Sequence, residues 1–300
     1  MSTQQAPAKK YLVTGATGKI GGGAAEILRD AGADVRLLVR DPEKARAFRD
    51  RGFEVVEGSY EESARVTAAC EGVDSILLVP TDANPTAANS VVDAAVASGV
   101  RRVVRISAVG SHADAHGVLL RNHAAGELHL ESSGLEFQHL RCNSFLQNLT
   151  WYSEWVERLG VIYACHGERP MSWIDARDVA AGAAAALLAS SANAASSLEL
   201  NGPQALTGFD IAEHLGASVG RTIKCVSLEG PAFVEEVMAH GWSEGLATEW
   251  ATQFTHDYRD ERLADGSDSD FRTLTGRSPR SIDAFLKDNP IQAAMTPFSL

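Results

Sequence analysis

Tyr11-Leu12-Val13-Thr14-Gly15-Ala16-Thr17-Gly18-Lys19-Ile20-Gly21 is the stretch that decides the fold. Three apolar residues run straight into a turn with glycines at 15, 18 and 21, and a helical pattern follows from Lys19 to Asp30, closed by Gly32. A buried strand that breaks at glycines and reopens as a helix is the first half of a βαβ unit. The spacing is G-x-x-G-x-x-G rather than G-x-G-x-x-G. Its glycines serve the same ends: a tight turn, close approach of the backbone to a ligand, and close helix–strand packing.

Outward from this turn the alternation continues with little slack. Strands are predicted at 35–39, 53–57, 73–79, 103–106 and 136–140. Helices are predicted between them, one opened by Asp41 as N-cap with Pro42 behind it and others at 61–70, 87–98 and 121–132. Apolar strands alternating with helices imply an α/β, doubly wound parallel (Rossmann) sheet, with ligands at the C-terminal ends of its strands. Beyond Asn148 the pattern loosens into aromatic residues and helices near 179–188, 209–219, 233–240 and 245–254. The expected organisation is therefore a tail at 1–9, disordered, a dinucleotide-binding domain at 10–148, and a smaller α+β substrate-binding lobe at 149–300, interleaved with the sheet. A polar loop is expected at 265–270.

The amides at the start of the first helix suit a pyrophosphate, so the chain is expected to bind a nicotinamide dinucleotide. Arg40 directly follows the second strand and Lys44 lies one helical turn on. Two cations there match a 2′-phosphate, which favours NADP(H). Asp41 could also engage ribose hydroxyls, which leaves NAD(H) open.

Composition narrows the rest. The 300 residues carry 45% hydrophobic and 22% charged residues, ordinary for a soluble globular chain. A formal charge of −12 without a basic stripe argues against nucleic acid. Arg101 and Arg102 read as solvated charges at a strand end. Four scattered cysteines, 70, 142, 165 and 225, suit reduced thiols better than disulfides or a zinc site, and no metal is expected. The small, polar N-terminus lacks the apolar stretch of a signal peptide, and no run is long enough to span a bilayer. A cytoplasmic monomer or homodimer acting on a small molecule is expected.

With these residues in view, the chain resembles the NmrA-like group of atypical short-chain dehydrogenases/reductases. The likeness rests on the 14–21 turn, Val39-Arg40-Asp41-Pro42, Glu57-Gly58-Ser59-Tyr60, Ile106-Ser107, Ser133-Gly134-Leu135, Leu140-Arg141 and Phe145…Asn148. It continues through Trp173-Ile174-Asp175-Ala176-Arg177-Asp178-Val179 and Leu274-Thr275-Gly276-Arg277-Ser278-Pro279. The group contains NADPH-dependent quinone and dye reductases as well as cofactor-sensing regulators. The resemblance implies that Gly15, Ala16, Thr17, Gly18, Lys19 and Ile20 wrap the pyrophosphate, Arg40 takes the 2′-phosphate, and Ser59 and Tyr60 flank the adenine. It also implies that Val79, Pro80 and Thr81 run under the ribose and nicotinamide, which Cys142 and Asn143 border. Asp178 reads as the N-cap of the alanine-rich helix that follows it.

The wider superfamily reduces carbonyls with Tyr-x-x-x-Lys and an upstream serine. Ser107 stands at the serine position, but Leu119 and His123 replace the pair. Glu127, four residues past His123, shares its helix face and is a candidate partner that would favour imidazolium. Ser107 and His123 are the candidate catalytic residues, and Phe145 and Trp151 the candidate substrate contacts. Hydride transfer needs no protein acid when the acceptor is already electrophilic, such as a quinone, enone, imine or dye. The expected function is NADP(H)-dependent reduction of such an acceptor. The alternative is a non-catalytic NADP(H) sensor acting through a protein partner.

Overall fold

The structure is a computed structural model that describes residues 9–81, 87–189, 196–258 and 267–291. Most of the expected tail at 1–9 and the first two residues of the 265–270 loop lie outside them.

Nine strands are described: β1 Lys10–Val13, β2 Asp34–Val39, β3 Glu54–Glu57, β4 Ser75–Leu78, β5 Arg102–Ala108, β6 Glu136–Cys142, β7 Val161–Ala164, β8 Ser197–Leu200 and β9 Lys224–Ser227. Helices α1 Lys19–Asp30, α2 Pro42–Asp50, α3 Ser63–Cys70, α4 Asn89–Ala97 and α5 Val118–Glu131 connect the first six. Then come α6 Ser153–Leu159, α7 Ala176–Leu188, α8 Gly208–Val219, α9 Gly230–Ala239, α10 Glu244–Thr252, α11 Ser269–Thr275 and α12 Ile282–Asp288.

Seven strands form one sheet in the order β3-β2-β1-β4-β5-β6-β8. The pairs from β3 to β5 are parallel. From β1 the chain winds outward to β2 and β3, then returns to place β4 on the other side of β1. The C-terminal edge between β1 and β4 is thus the switch point where such sheets bind ligands.

The chain divides into two compact units that interleave in sequence. The first comprises Met1–Ser107, Ala125–Leu140 and Val179–Leu198; the second comprises Ala108–Ala124, Arg141–Asp178 and Glu199–Leu300. The boundary is therefore not one break after Asn148, because most of α7 returns to the first unit.

The core of the first unit joins Leu12, Ile76, Leu78 and Val103 of the sheet to Val66, Ala69, Val91, Ala95 and Leu130 of its helices. On α1, a Cβ at Gly23 would stand 2.9 Å from the Ala180 Cβ of α7, so small residues let these helices meet closely. Arg102 corrects the reading of a solvated strand end. It is 1% exposed, donates from Nη1 to the carbonyls of Ala186 (2.9 Å) and Ala189 (3.3 Å), and from Nη2 to Gln138 Oε1 (2.8 Å). A guanidinium satisfies orphan carbonyls at the end of α7, a partnership 84 residues distant that periodicity does not reveal.

The core of the second unit is aromatic. Trp151, Tyr152, Trp155, Trp173, Phe233 and Phe254 are all buried in it. β7 and β9 form a separate parallel pair beside α8. Asp178 is a second correction. Helix α7 begins at Ala176, so the cap is Asp175, whose Oδ1 accepts from the Arg177 amide at 2.8 Å. Asp178, fully buried, instead accepts from the Arg280 amide (2.6 Å) and from the Arg277 (2.7 Å) and Arg280 guanidinia. The 173–179 and 274–279 motifs are therefore joined through one carboxylate.

Candidate cofactor and active site

Thr14, the first residue of the 14–21 turn, anchors it through contacts that the motif itself does not reveal. Thr14 is fully buried; its amide donates to the Leu77 carbonyl at 3.0 Å and its Oγ1 accepts from the Val79 amide at 2.9 Å. This fixes the end of β1 to the end of β4. Gly15 then takes φ +62°, and a Cβ there would lie 2.9 Å from the Val79 Cβ. At Gly21 a Cβ would lie 2.7 Å from the Thr14 carbonyl oxygen. Only glycine keeps the turn this flat against the strands and α1 this close behind it.

Gly18 is the N-cap of α1. It has no side chain to fold back on the helix amides, and the first turn carries no acidic residue. That leaves the helix end suited to an anion brought from outside. Thr17, Gly18 and Lys19 are exposed, whereas Ala16 is buried beneath them.

The neighbouring strand ends of the first unit add further groups. Arg40 is exposed just after β2. Asp41 caps α2, its Oδ1 accepting from the amides of Glu43 (2.9 Å) and Lys44 (3.2 Å), so this oxygen is committed to the helix. Lys44 Nζ stands 4.0 Å from Asp41 Oδ2 and is 60% exposed, which leaves the ammonium largely in solvent. A cavity of about 230 Å³ opens between Thr17 of the turn and Lys44, Ala47, Phe48 and Arg51 of the α2 segment. Phe48 and Arg51 were not foreseen, though residues 44, 47, 48 and 51 follow the i, i+3, i+4, i+7 rule of one helix face.

After β3, the Gly58 amide bonds the Val39 carbonyl at 3.0 Å and the Ser59 amide bonds Glu62 Oε2 at 2.8 Å. Tyr60 then reaches across to donate its hydroxyl to the Val79 carbonyl at 2.8 Å. Burial drives its phenol up to about 12 against the opposing effect of Thr14, so it is a neutral donor. Pro80 and Thr81 continue from Val79, half-buried and exposed in turn. Ser107, 3% exposed, lies on β5 in this first unit.

The other expected site residues belong to the second unit. His123 is on α5 and 7% exposed. Cys142 ends β6, where burial pushes its thiol well above the ordinary range. Asn143 donates from Nδ2 to Asn201 Oδ1 at 2.9 Å, and its amide bonds the Leu200 carbonyl at 3.1 Å, tying the ends of β6 and β8 together. Phe145 is half-buried at a parallel bridge to Ile174. Trp151 is only 8% exposed and lies edge-on to Trp242 (5.4 Å) and Trp250 (5.3 Å). Glu127, expected as a partner of His123, belongs to the first unit, where its charge acts on Arg105 and His139. Burial brings the Arg105 guanidinium down to about 10, with Glu127 acting against that fall.

A parallel sheet with a glycine turn at its switch point, an uncapped helix end and cations after β2 defines a dinucleotide-binding protein. The match to the NAD(P)H-binding family model over residues 15–189 agrees, and the chain belongs to that family. It is 34% identical over 229 residues to (4-alkanoyl-5-oxo-2,5-dihydrofuran-3-yl)methyl phosphate reductase of Streptomyces griseus, covering 76% of this chain and 80% of that one. It is 32% identical over 240 residues to NAD(P)H azoreductase of Xenophilus azovorans, covering 79% and 83%. The structure of the NADPH-dependent quinone oxidoreductase of Escherichia coli with NADPH superposes with TM-score 0.83 at 24% identity, covering 93% of this chain and 99% of that one. The protein is an NAD(P)H-dependent oxidoreductase. Among the described residues no helix is long and apolar enough to cross a membrane.

Proposed function

We propose that this protein transfers hydride from NADPH to a small conjugated electrophile: a quinone, an enone, an imine or a dye-like acceptor. The observation that carries the reading is the content of α5. This helix presents Leu119 and His123 one turn apart, where carbonyl-reducing members of the superfamily carry a phenol and an ammonium. Without that pair α5 lacks the usual proton donor for an unactivated ketone, which favours an acceptor that is itself electrophilic. The names of the azoreductase and quinone oxidoreductase relatives support an acceptor of this kind.

When bound, the dinucleotide supplies the hydride. The residues supply binding and orientation. Gly15 to Ile20 receive the pyrophosphate on backbone amides, and Arg40 with Lys44 receives the 2′-phosphate, which sets the preference for NADPH. Ser59 and Tyr60 bound the adenine, and Val79, Pro80 and Thr81 lie under the ribose and nicotinamide, with Cys142 and Asn143 at its border. Ser107 and His123 make the polar contacts to the acceptor, and Phe145 packs against its plane. Buried or half-buried thiols at 70, 142, 165 and 225, with no disulfide among them, fit a cytoplasmic setting.

The test compares acceptors under NADPH, followed at 340 nm. Quinones or enones should turn over while simple unactivated ketones do not. Ketone turnover at a comparable rate would refute the reading.

A further inference from the structure

We propose that Glu249 and Asp257 are positioning residues for His123, acting by gripping the start of α5. This rests on the reading that His123 contacts the acceptor. All the groups of the grip lie within the second unit.

Four consecutive backbone amides lead into α5, and each donates to a different carboxylate oxygen. His116 bonds Asp257 Oδ1 at 2.7 Å and Gly117 bonds Asp257 Oδ2 at 2.8 Å. Val118 bonds Glu249 Oε2 at 3.0 Å and Leu119 bonds Glu249 Oε1 at 2.9 Å. A helix usually meets its orphan amides with one oxygen from its own N-cap residue. Here two whole carboxylates, contributed from 130 to 141 residues away, do so instead. They also meet the positive end of the helix dipole, where anions are most stabilising.

Several features are shaped to make the grip possible. A Cβ at Gly117 would lie 2.8 Å from Gln253 Cγ, 2.9 Å from Glu249 Oε1 and 3.1 Å from Asp257 Oδ2, so only glycine admits both carboxylates. Gln253 Nε2 donates to Glu249 Oε1 at 2.8 Å and steadies it. The Asp257 side chain is only 6% exposed, so its charge-assisted bonds are little screened by water. In a plain α-helix, residues 249 and 257 would point about 80° apart. The π-helical turn at Gln253–Asp257 widens the helix there and brings both to one face.

Leu119 precedes His123 by four residues, so Glu249 acts one turn away on the same face of α5. First turns fray when their amides lack partners, and His123 stands only one turn further in. Its side chain is therefore held by bonds that do not touch it.

The test is a double-mutant cycle on the full-length protein with a quinone acceptor. Glu249→Gln and Asp257→Asn keep shape but weaken the grip; each should lower kcat about ten- to a hundredfold while the KM for NADPH changes less than about twofold. In a His123→Gln background the same substitutions should have almost no further effect, which a merely structural role would not produce. If His123→Gln is itself slow but the effects multiply, positioning is refuted while the His123 reading stands. If His123→Gln turns over like the unaltered protein, both are refuted. NADPH binding and thermal melting of each variant, expected to be near those of the unaltered protein, identify any loss due to unfolding; a Glu249→Gln protein that melts normally and keeps its kcat overturns the proposal.

Discussion

The Tyr60 hydroxyl donates a 2.8 Å hydrogen bond to the carbonyl of Val79, joining the segment after β3 to the end of β4 across the glycine turn. The same Val79 offers its amide to Thr14 and its side chain to the face of Gly15. Removing the hydroxyl in Tyr60→Phe should cost about 1–2 kcal/mol by leaving a half-buried carbonyl without this donor. We expect NADPH to bind about three- to tenfold more weakly, measured by quenching of protein fluorescence, with the melting temperature slightly lowered. Unchanged affinity would mean that Tyr60 does not shape the cofactor site.

Gly21→Ala places a methyl 2.5 Å from the Gly15 carbonyl oxygen and 2.7 Å from that of Thr14. No flexible side chain can yield there, so the turn itself must shift. NADPH binding should fall by about a hundredfold or more, following the steep dependence on placement of a close backbone contact. Gly245→Ala, where a Cβ meets nothing within 4 Å, serves as the matched control and should bind NADPH normally.

Arg40 is exposed, and Lys44 Nζ is only loosely held by Asp41 at 4.0 Å. Arg40→Ser should raise the KM for NADPH by about tenfold or more and leave that for NADH nearly unchanged. Lys44→Ala should act in the same direction with a smaller effect. Equal losses with both cofactors would show that neither cation reads the 2′-phosphate.

His166 is 1% exposed, and among the described residues neither ring nitrogen finds a hydrogen-bond partner. Burial, and then the nearby positive Arg169, pushes its imidazole from 6.5 down to about 4. The unfolded chain therefore takes up a proton between about pH 6.5 and 4 that the folded chain does not, and stability falls as pH drops through that window. At pH 5 this should amount to about 2 kcal/mol. Urea unfolding of His166→Phe should show a shallower loss over this window; an unchanged slope would contradict the assignment.

The sheet half of the molecule was readable because most of its strands carry short apolar stretches, such as Tyr11-Leu12-Val13 and Ile76-Leu77-Leu78, that alternate regularly with helical segments. The bounds of α1, Lys19–Asp30, fall where the sequence puts them. The second unit was harder. β7 and β9 are only four residues long: β7 is apolar but too short to stand out among the helical stretches around it, and β9 is mixed in polarity and partly exposed. Helix α7 starts three residues before Val179 because Ala176 and Arg177 are good helix formers that no local signal excludes. The turn, Arg40 and Lys44 could be found as local motifs. Thr14, Arg102, Glu249 and Asp257 could not, since each acts on backbone far away in sequence.

Direct hydride transfer from the nicotinamide to an electrophilic acceptor can be followed atom by atom. The most direct measurement is single turnover with NADPH deuterated at C4, carried out without oxygen on a conjugated enone and read by mass spectrometry of the product. The label on one face of C4 should appear on carbon in the reduced acceptor, and Gly21→Ala should slow the transfer sharply at the same NADPH concentration. Reduced product without label from either face, or no product from any activated acceptor despite tight NADPH binding, would contradict it.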